Sequence, residues 1–440
     1  MNFKAKVKSK KAKVMNRHST VWSPAFRRIT AAQGFRMHAK AWTQNFLCLS
    51  VVTILLSIST VQAQIAVKGE TIWTMAGVNI SNGVVLIGAN GKIEAVGTAS
   101  QVKIPTNYKI VSAKVVTPGL IDAHTVIGLN GYLNQPNDQM ALDGGASIQP
   151  ELRAIDAYNP EERLIEWVRG FGITTIHTGH QPSALVSGQT MIAKTFGKEI
   201  DNVTISSTAM ISVTLGDAGL AGTGKSPGTR SKAAAMLRAE LIKAQSYATK
   251  PDFTRDLKME MWKKVLNREI PLLVTAQQSQ DIMTALRIAK EFNIKIVLDG
   301  AAESYLLINE IKASGFPVII HPTMARAGGE TENLSLETAS KLKAAGILVA
   351  MQSGYEAYVP KTRVVLFEAA ITVANGLSQR DALATITIDA AKILGIDARV
   401  GSLAVGKDGD VAMYDGDPFE YVTHCTGTII NGQIVSDVVR

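Results

Sequence analysis

The sequence predicts an α/β protein: a (β/α)8 TIM-like barrel carrying a small β-sandwich domain that both ends of the mature chain build together. Three observations predict it. Short apolar, strand-like runs alternate with helical stretches through the middle of the chain, and segments rich in short strands stand before and after that middle. At 440 residues, 46% of them hydrophobic, the chain also exceeds one ordinary core, which suits a large barrel plus a smaller domain. A doubly wound open sheet is the second arrangement that such alternation allows.

Taken in order, residues 1–63 read as a secretory signal cut after Ala63. Phe46 to Ser59 is an unbroken run of apolar and small residues. That run is short of the roughly 20 residues that span a bilayer, yet long enough for a signal core of roughly 7 to 15. Val61-Gln62-Ala63 supplies small residues for cleavage. The start codon is open between Met1, Met15 and Met37, since a start at Met37 still leaves His38 and Lys40 ahead of the core. An uncleaved anchor is the alternative; the signal reading implies a periplasmic protein with no stable membrane insertion after cleavage.

The same segment explains the charge. The formal net charge is +9, but residues 1–63 hold 11 Lys and Arg and no Asp or Glu, leaving 35 basic against 37 acidic residues in the rest. A mature chain so balanced gives no case for nucleic-acid binding. Cys48 falls in the signal, so only Cys425 remains and no internal disulfide forms.

Residues 64–118 read as the first part of the β domain: Ile65-Ala66-Val67, Val84-Val85-Leu86-Ile87, a turn at Asn90-Gly91, and Ile93-Glu94-Ala95-Val96. Asn-Gly between apolar runs signals a hairpin, because both residues tolerate positive φ. Residues 399–440 resume this style with Val411-Ala412-Met413-Tyr414 and Thr428-Ile429-Ile430-Asn431-Gly432. Between them, residues 119–398 form the barrel. Its strand candidates include Ile173–Ile176, Leu272–Val274, Ile296–Leu298, Val318–Ile320 and Ile347–Ala350, and Ile282, Leu286, Ala289 and Phe292 share one face of a helix.

Gly219-Leu220-Ala221-Gly222-Thr223-Gly224-Lys225-Ser226 satisfies the phosphate-loop pattern. Its context is half right: Ile211–Leu215 before it alternates like a strand, but Pro227-Gly228 interrupts the helix whose N-terminus should hold phosphate. A Gly-rich loop over the barrel mouth fits better.

The motif that carries chemistry is Val115-Val116-Thr117-Pro118-Gly119-Leu120-Ile121-Asp122-Ala123-His124-Thr125-Val126. It resembles the first barrel strand of the amidohydrolase superfamily, in particular its imidazolonepropionase-like branch, whose pattern ends in His-x-His. His124 fits the first position, and Val126 departs at the second, offering no lone pair to a metal. Gly401-Ser402-Leu403-Ala404-Val405-Gly406-Lys407-Asp408-Gly409-Asp410 followed by Tyr414-Asp415-Gly416-Asp417-Pro418 resembles the C-terminal signature of that family, so the likeness covers nearly all of the mature chain.

The resemblance implies a hydrolase of non-peptide, including cyclic, amide C–N bonds and a divalent metal, zinc, iron or manganese. It also implies histidines closing the fifth and sixth strands and an aspartate closing the eighth. Here those ends carry Thr275, Asp299, and Gln352 or Ser353. The departures leave two cofactor alternatives, one ion or none. They leave two functions as well: an enzyme with His124 as ligand or electrophile and Asp299 as ligand or base, or a pseudoenzyme that binds a small molecule. Activity without metal, using Asp299 and a histidine, is a third.

Strand-end placement makes His124, His177, His180, Asp299 and His321 candidate metal ligands at one mouth. Against this, a histidine after a strand often bonds backbone, and Asp299 suits the cap of a helix starting near Glu303. Thr275, Gln352, Gln189 and Tyr355 are candidate substrate contacts, Glu330 and Glu332 stand in a Gly-rich loop that can approach the mouth, and Lys194 is a candidate fourth-strand ligand. The expected partner is a small-molecule substrate or ligand, with homo-oligomerisation open.

Overall fold

The computed structural model describes residues 64–222, 224–247, 254–355 and 364–440. The expected signal at 1–63 lies outside them, as do Thr223, Glu356 and Tyr358. Val61–Arg440 form one compact unit, and no helix among the described residues is long and apolar enough to cross a membrane.

The β domain draws on both ends of the chain. Strands β1 (Ile65–Ile72), β2 (Ile80–Ile87), β3 (Ile93–Thr98) and β4 (Lys109–Pro118) come before the barrel. Three more, β14 (Val411–Tyr414), β15 (Cys425–Ile430) and β16 (Gln433–Ser436), come after it. One sheet holds all seven in the order β16-β15-β14-β4-β1-β2-β3, and the antiparallel β4/β14 pairing, Val411 opposite Pro118, joins the two halves. Inward residues from both ends of this order, among them Val67, Ile87, Ile93, Val116, Val411 and Ile429, share one apolar core. Each such buried side chain contributes about 1.5–3 kcal/mol.

The Asn90-Gly91 signal is a real turn. Asn90 Oδ1 accepts from Lys92 N at 3.0 Å and Gly91 has φ +73°. A Cβ there would lie 2.4 Å from the Asn431 carbonyl, so glycine is required by both conformation and the approach of the β15/β16 turn.

The barrel strands are β5 (Leu120–Thr125), β6 (Ile173–Gly179), β7 (Val186–Lys194), β9 (Ile211–Thr214), β10 (Leu272–Ala276), β11 (Ile296–Gly300), β12 (Val318–Ile320) and β13 (Val349–Ala350), while β8 (Thr204–Ser206) pairs β7 off this path. A parallel bridge between Thr125 and Gly354 closes the circle. The helices are α1 (Arg163–Arg169), α2 (Ile200–Val203), α3 (Arg230–Gln245), α4 (Leu257–Leu266), α5 (Ser279–Phe292), α6 (Ile308–Ser314), α7 (Thr338–Ala344), α8 (Val365–Ala374), α9 (Gln379–Thr385) and α10 (Ile388–Ile393). On α5, Ile282, Leu286 and Ala289 are buried as their spacing predicts, and Asn293 ends the helix in the left-handed conformation at φ 52°.

One strand runs backwards. β7 is antiparallel to both β6 and β9. Only residues 180–185 join it to β6, and a parallel crossover needs a dozen residues or more. The reversal puts Val186–Gln189 at the mouth and sends Lys194 to the opposite end. There Lys194 Nζ meets Asp408 at 3.0 Å and also Asp410, all three buried, which removes it as a ligand candidate and makes it a clamp between barrel and β domain.

Inside the barrel, Ile121, Ala123, Ile192, Met210, Leu273, Val297, Ile319 and Ala350 form an apolar layer contributed by several strands. Side chains alternate along a strand, so the inward positions two residues further along β10, β11, β12 and β13 are Thr275, Asp299, His321 and Gln352. An apolar floor therefore carries a polar layer at the mouth.

Candidate active site

Asp299 is the hub. Its side chain is fully buried at the end of β11, where the parallel register sets it beside Thr275 of β10. Thr275 Oγ1 donates to Oδ2 at 2.5 Å, Gln352 Nε2 donates to Oδ1 at 2.9 Å, and His124 Nδ1 lies 2.8 Å from Oδ1. Both carboxylate oxygens thus act as acceptors, which fixes the imidazole with a proton on Nδ1. In the neutral ring Nε2 then carries a lone pair, and that atom is buried without a hydrogen-bond partner among the described residues. Asp299 caps no helix; Glu303 instead accepts from Ser279 N, at the start of α5.

The surrounding groups hold this hub. His177 Nδ1 donates to the Ala123 carbonyl at 2.6 Å and Nε2 accepts from Thr190 Oγ1 at 2.6 Å, with its ring centroid 5.9 Å from that of His124. Burial, with His124 beside it, pushes the His177 imidazole down to about 3, so it is neutral near pH 7. The Tyr355 ring lies 5.1 Å from His124 at 38°, and its hydroxyl accepts from Gln277 Nε2 at 3.1 Å. Below the hub, Asp122 accepts from Ser353 Oγ at 2.5 Å, from Ser353 N at 3.0 Å and from His124 N at 3.3 Å. Burial pushes its carboxyl up to about 7.

Of the sequence candidates, the structure brings together His124, His177, Asp299, Thr275, Gln352 and Tyr355. Three others are engaged elsewhere. His180 Nδ1 faces the Ala141 carbonyl and His321 Nδ1 the Pro322 carbonyl, while Nε2 of each ring is buried without a hydrogen-bond partner among the described residues, and burial lowers the pKa of both rings. Gln189 spends its amide on the Pro150 carbonyl and Thr208. Gln352, not Ser353, occupies the eighth-strand position facing Asp299. Asp122 was missed as a structural partner, and Thr190, in a polar stretch read as able to position substrate, bonds His177 instead. The inward alternation from Ile192 to Thr190 is the signal that pointed to the second.

Loops close over the strand ends. Glu330 accepts from Asp217 N at 2.6 Å, Ala218 N at 3.3 Å and Arg230 at 3.0 Å, and Arg230 also holds Asp281 at 3.1 Å. The loop after β9 is thereby tied to the loop after β12, across the ends of β10 and β11.

Comparison with known proteins agrees with this architecture. The model of the amidohydrolase family matches residues 353–436, which include Ser353 at the site and the whole C-terminal β segment. The crystal structure of an amidohydrolase from Thermotoga maritima MSB8 superimposes with a TM-score of 0.80 at 26% identity, over 85% of this chain and 100% of that one. In fold and in its C-terminal segment, the chain is similar to the amidohydrolases. E. coli guanine deaminase (TM-score 0.50, 14% identity, 86% of this chain and 99% of that one) and a zinc-bound adenosine deaminase from Xanthomonas campestris (0.50, 12%, 84% and 92%) share the fold. No curated protein matches.

The resemblance implies a metal site, and the residues present can be tested against one. Among the described residues, no group of three or more His, Cys, Asp or Glu side chains is placed to hold a metal ion. The five-residue ligand set read from the strand ends is therefore not assembled into one such group among the described residues. Both oxygens of Asp299 already accept hydrogen bonds, and Val126 is buried among apolar residues. The donor set present does not fit a binuclear centre.

Proposed function

We propose that this protein hydrolyses a non-peptide C–N bond using the His124–Asp299 pair, without a resident divalent ion. One observation carries the reading: Asp299, held at both oxygens by Thr275, Gln352 and His124, fixes the imidazole so that its unpartnered Nε2 is the reactive face. In the step proposed, Nε2 takes a proton from water as the water oxygen bonds to the substrate carbon. The C–N bond then breaks, and the same proton passes to the departing nitrogen. Asp299, hydrogen-bonded to Nδ1, steadies the imidazolium formed.

The test is hydrolysis of a panel of primary amides, cyclic imides and amidines by protein dialysed against a chelator. The reading expects turnover that survives chelation and falls by about 10²–10⁴-fold in His124→Ala. Turnover restored only by added zinc, iron or manganese contradicts it.

A second reading, a small-molecule binding protein that no longer turns over, is favoured by the neutral groups around Asp299: Thr275 and Gln352 are buried and both bond its carboxylate. It expects saturable binding from the same panel with no turnover under any metal condition. Export to the periplasm is likewise proposed from residues 1–63, and N-terminal sequencing that begins at Gln64 tests it.

A further inference from the structure

Two buried acceptors at the hub have no donor to meet. Gln352 Nε2 donates to Asp299 Oδ1 and to the Ile320 carbonyl, each at 2.9 Å. Since both of those partners are acceptors, the amide orientation is fixed and Oε1 is at the other end. That oxygen is buried and unpartnered among the described residues, as is His124 Nε2. Both side chains hang from the same carboxylate oxygen, so the two acceptors belong to one small region.

The charge has the same sense. The side-chain partners of Asp299 are a hydroxyl, an amide and an imidazole, with no Lys or Arg hydrogen-bonded to it among the described residues. A buried carboxylate so placed favours an incoming cation. The Tyr355 ring beside His124 adds an aromatic face of the kind that attracts one.

We propose that the ligand of this centre is a compact planar cation rich in N–H groups, an amidinium or a guanidinium, recognised by Gln352 Oε1, His124 Nε2 and the Tyr355 face. This rests on taking the His124–Asp299 centre as the functional site, and it narrows the C–N bond proposed above to an amidine-type carbon; for turnover, the N–H held by His124 Nε2 gives way to the attacking water. A carboxylate ligand would meet only acceptors and a like charge. A neutral amide brings donors too, but also an oxygen for which the two acceptors offer no hydrogen, and it lacks the charge.

The experiment titrates the purified full-length protein with acetamidinium, methylguanidinium, acetamide and acetate at matched ionic strength. It reads the imidazole ¹⁵N resonances and the thermal midpoint. The expected result is saturable binding of the two cations, at least about tenfold tighter than acetamide, with shifts of the His124 nitrogen and no binding of acetate. Gln352→Leu should weaken the cations by about tenfold or more; because that variant can lose the fold, the wild-type nitrogen shifts stand as the independent measure. Binding of acetate in preference overturns the proposal. So does zinc or manganese bound stoichiometrically and displacing acetamidinium, or equal affinity for acetamide. Cation binding without turnover of any substrate keeps this inference and removes the hydrolase reading; turnover of neutral amides with no cation binding does the reverse.

Discussion

In the reading proposed, the carboxylate of Asp299 stands where the resemblance puts a metal ligand. Thr275 supplies the hydroxyl that satisfies Oδ2, so Thr275→Val leaves a buried acceptor open and should destabilise the fold by about 1–3 kcal/mol in urea unfolding. An unchanged midpoint would show that Oδ2 finds another donor. Asp122 gives a pH test with a definite sign. Burial raises its carboxyl to about 7 from 3.8, so the folded state binds a proton more tightly than the unfolded chain, and its contribution to stability is lost as pH rises through about 7. Asp122→Asn should therefore gain stability relative to wild type more at pH 8 than at pH 5. Thermal midpoints that shift equally at both pH values contradict this. His124, Asp299, Thr275 and Gln352 were legible because motif and strand-end position fix where a residue sits. The hydrogen bonds of His180 and His321 were not, since spacing does not say which way an imidazole turns.

Among the elements, β7 separates what alternation reveals from what it conceals. Apolar periodicity identifies strands but carries no direction; the six residues joining β6 to β7 do, because they are too few for a crossover helix. That reversal moves Lys194 away from the mouth and brings Thr190 up to hold His177. The two loops tied by Glu330 and Arg230 were foreseen only as Gly-rich segments near the mouth, since ion pairs between distant loops leave no local pattern. If this tie holds the mouth closed, Glu330→Gln should speed hydrogen exchange of the Asp217 and Ala218 amides by about tenfold, with barrel-strand amides unaffected. Equal rates in both proteins would mean that the loops are held by other contacts.

The molecule as a whole depends on a joint that no local motif announced. Lys194 bridges Asp408 and Asp410, linking the far end of β7 to the β domain, and Lys92 and Arg399 also reach Asp408. Burial tends to raise the Asp408 carboxyl, but Lys194, Lys92 and Arg399 outweigh it and hold it down at about 2. The stabilisation is thus present above the ordinary 3.8 and lost as pH falls toward 2. Lys194→Met should cost about 3–5 kcal/mol at neutral pH, because buried Asp410 loses its cation and Asp408 keeps only Lys92 and Arg399, and should flatten the acid limb of the stability curve. The overall plan was legible because alternation, length and two β-rich ends are all properties of the whole chain. The most direct test of the central claim, that a hydrogen-bonded His124–Asp299 pair stands where relatives use metal, is elemental analysis of active protein before and after chelation. The account predicts far less than one ion per chain and unchanged amidine hydrolysis; a stoichiometric divalent ion whose removal abolishes that hydrolysis would contradict it.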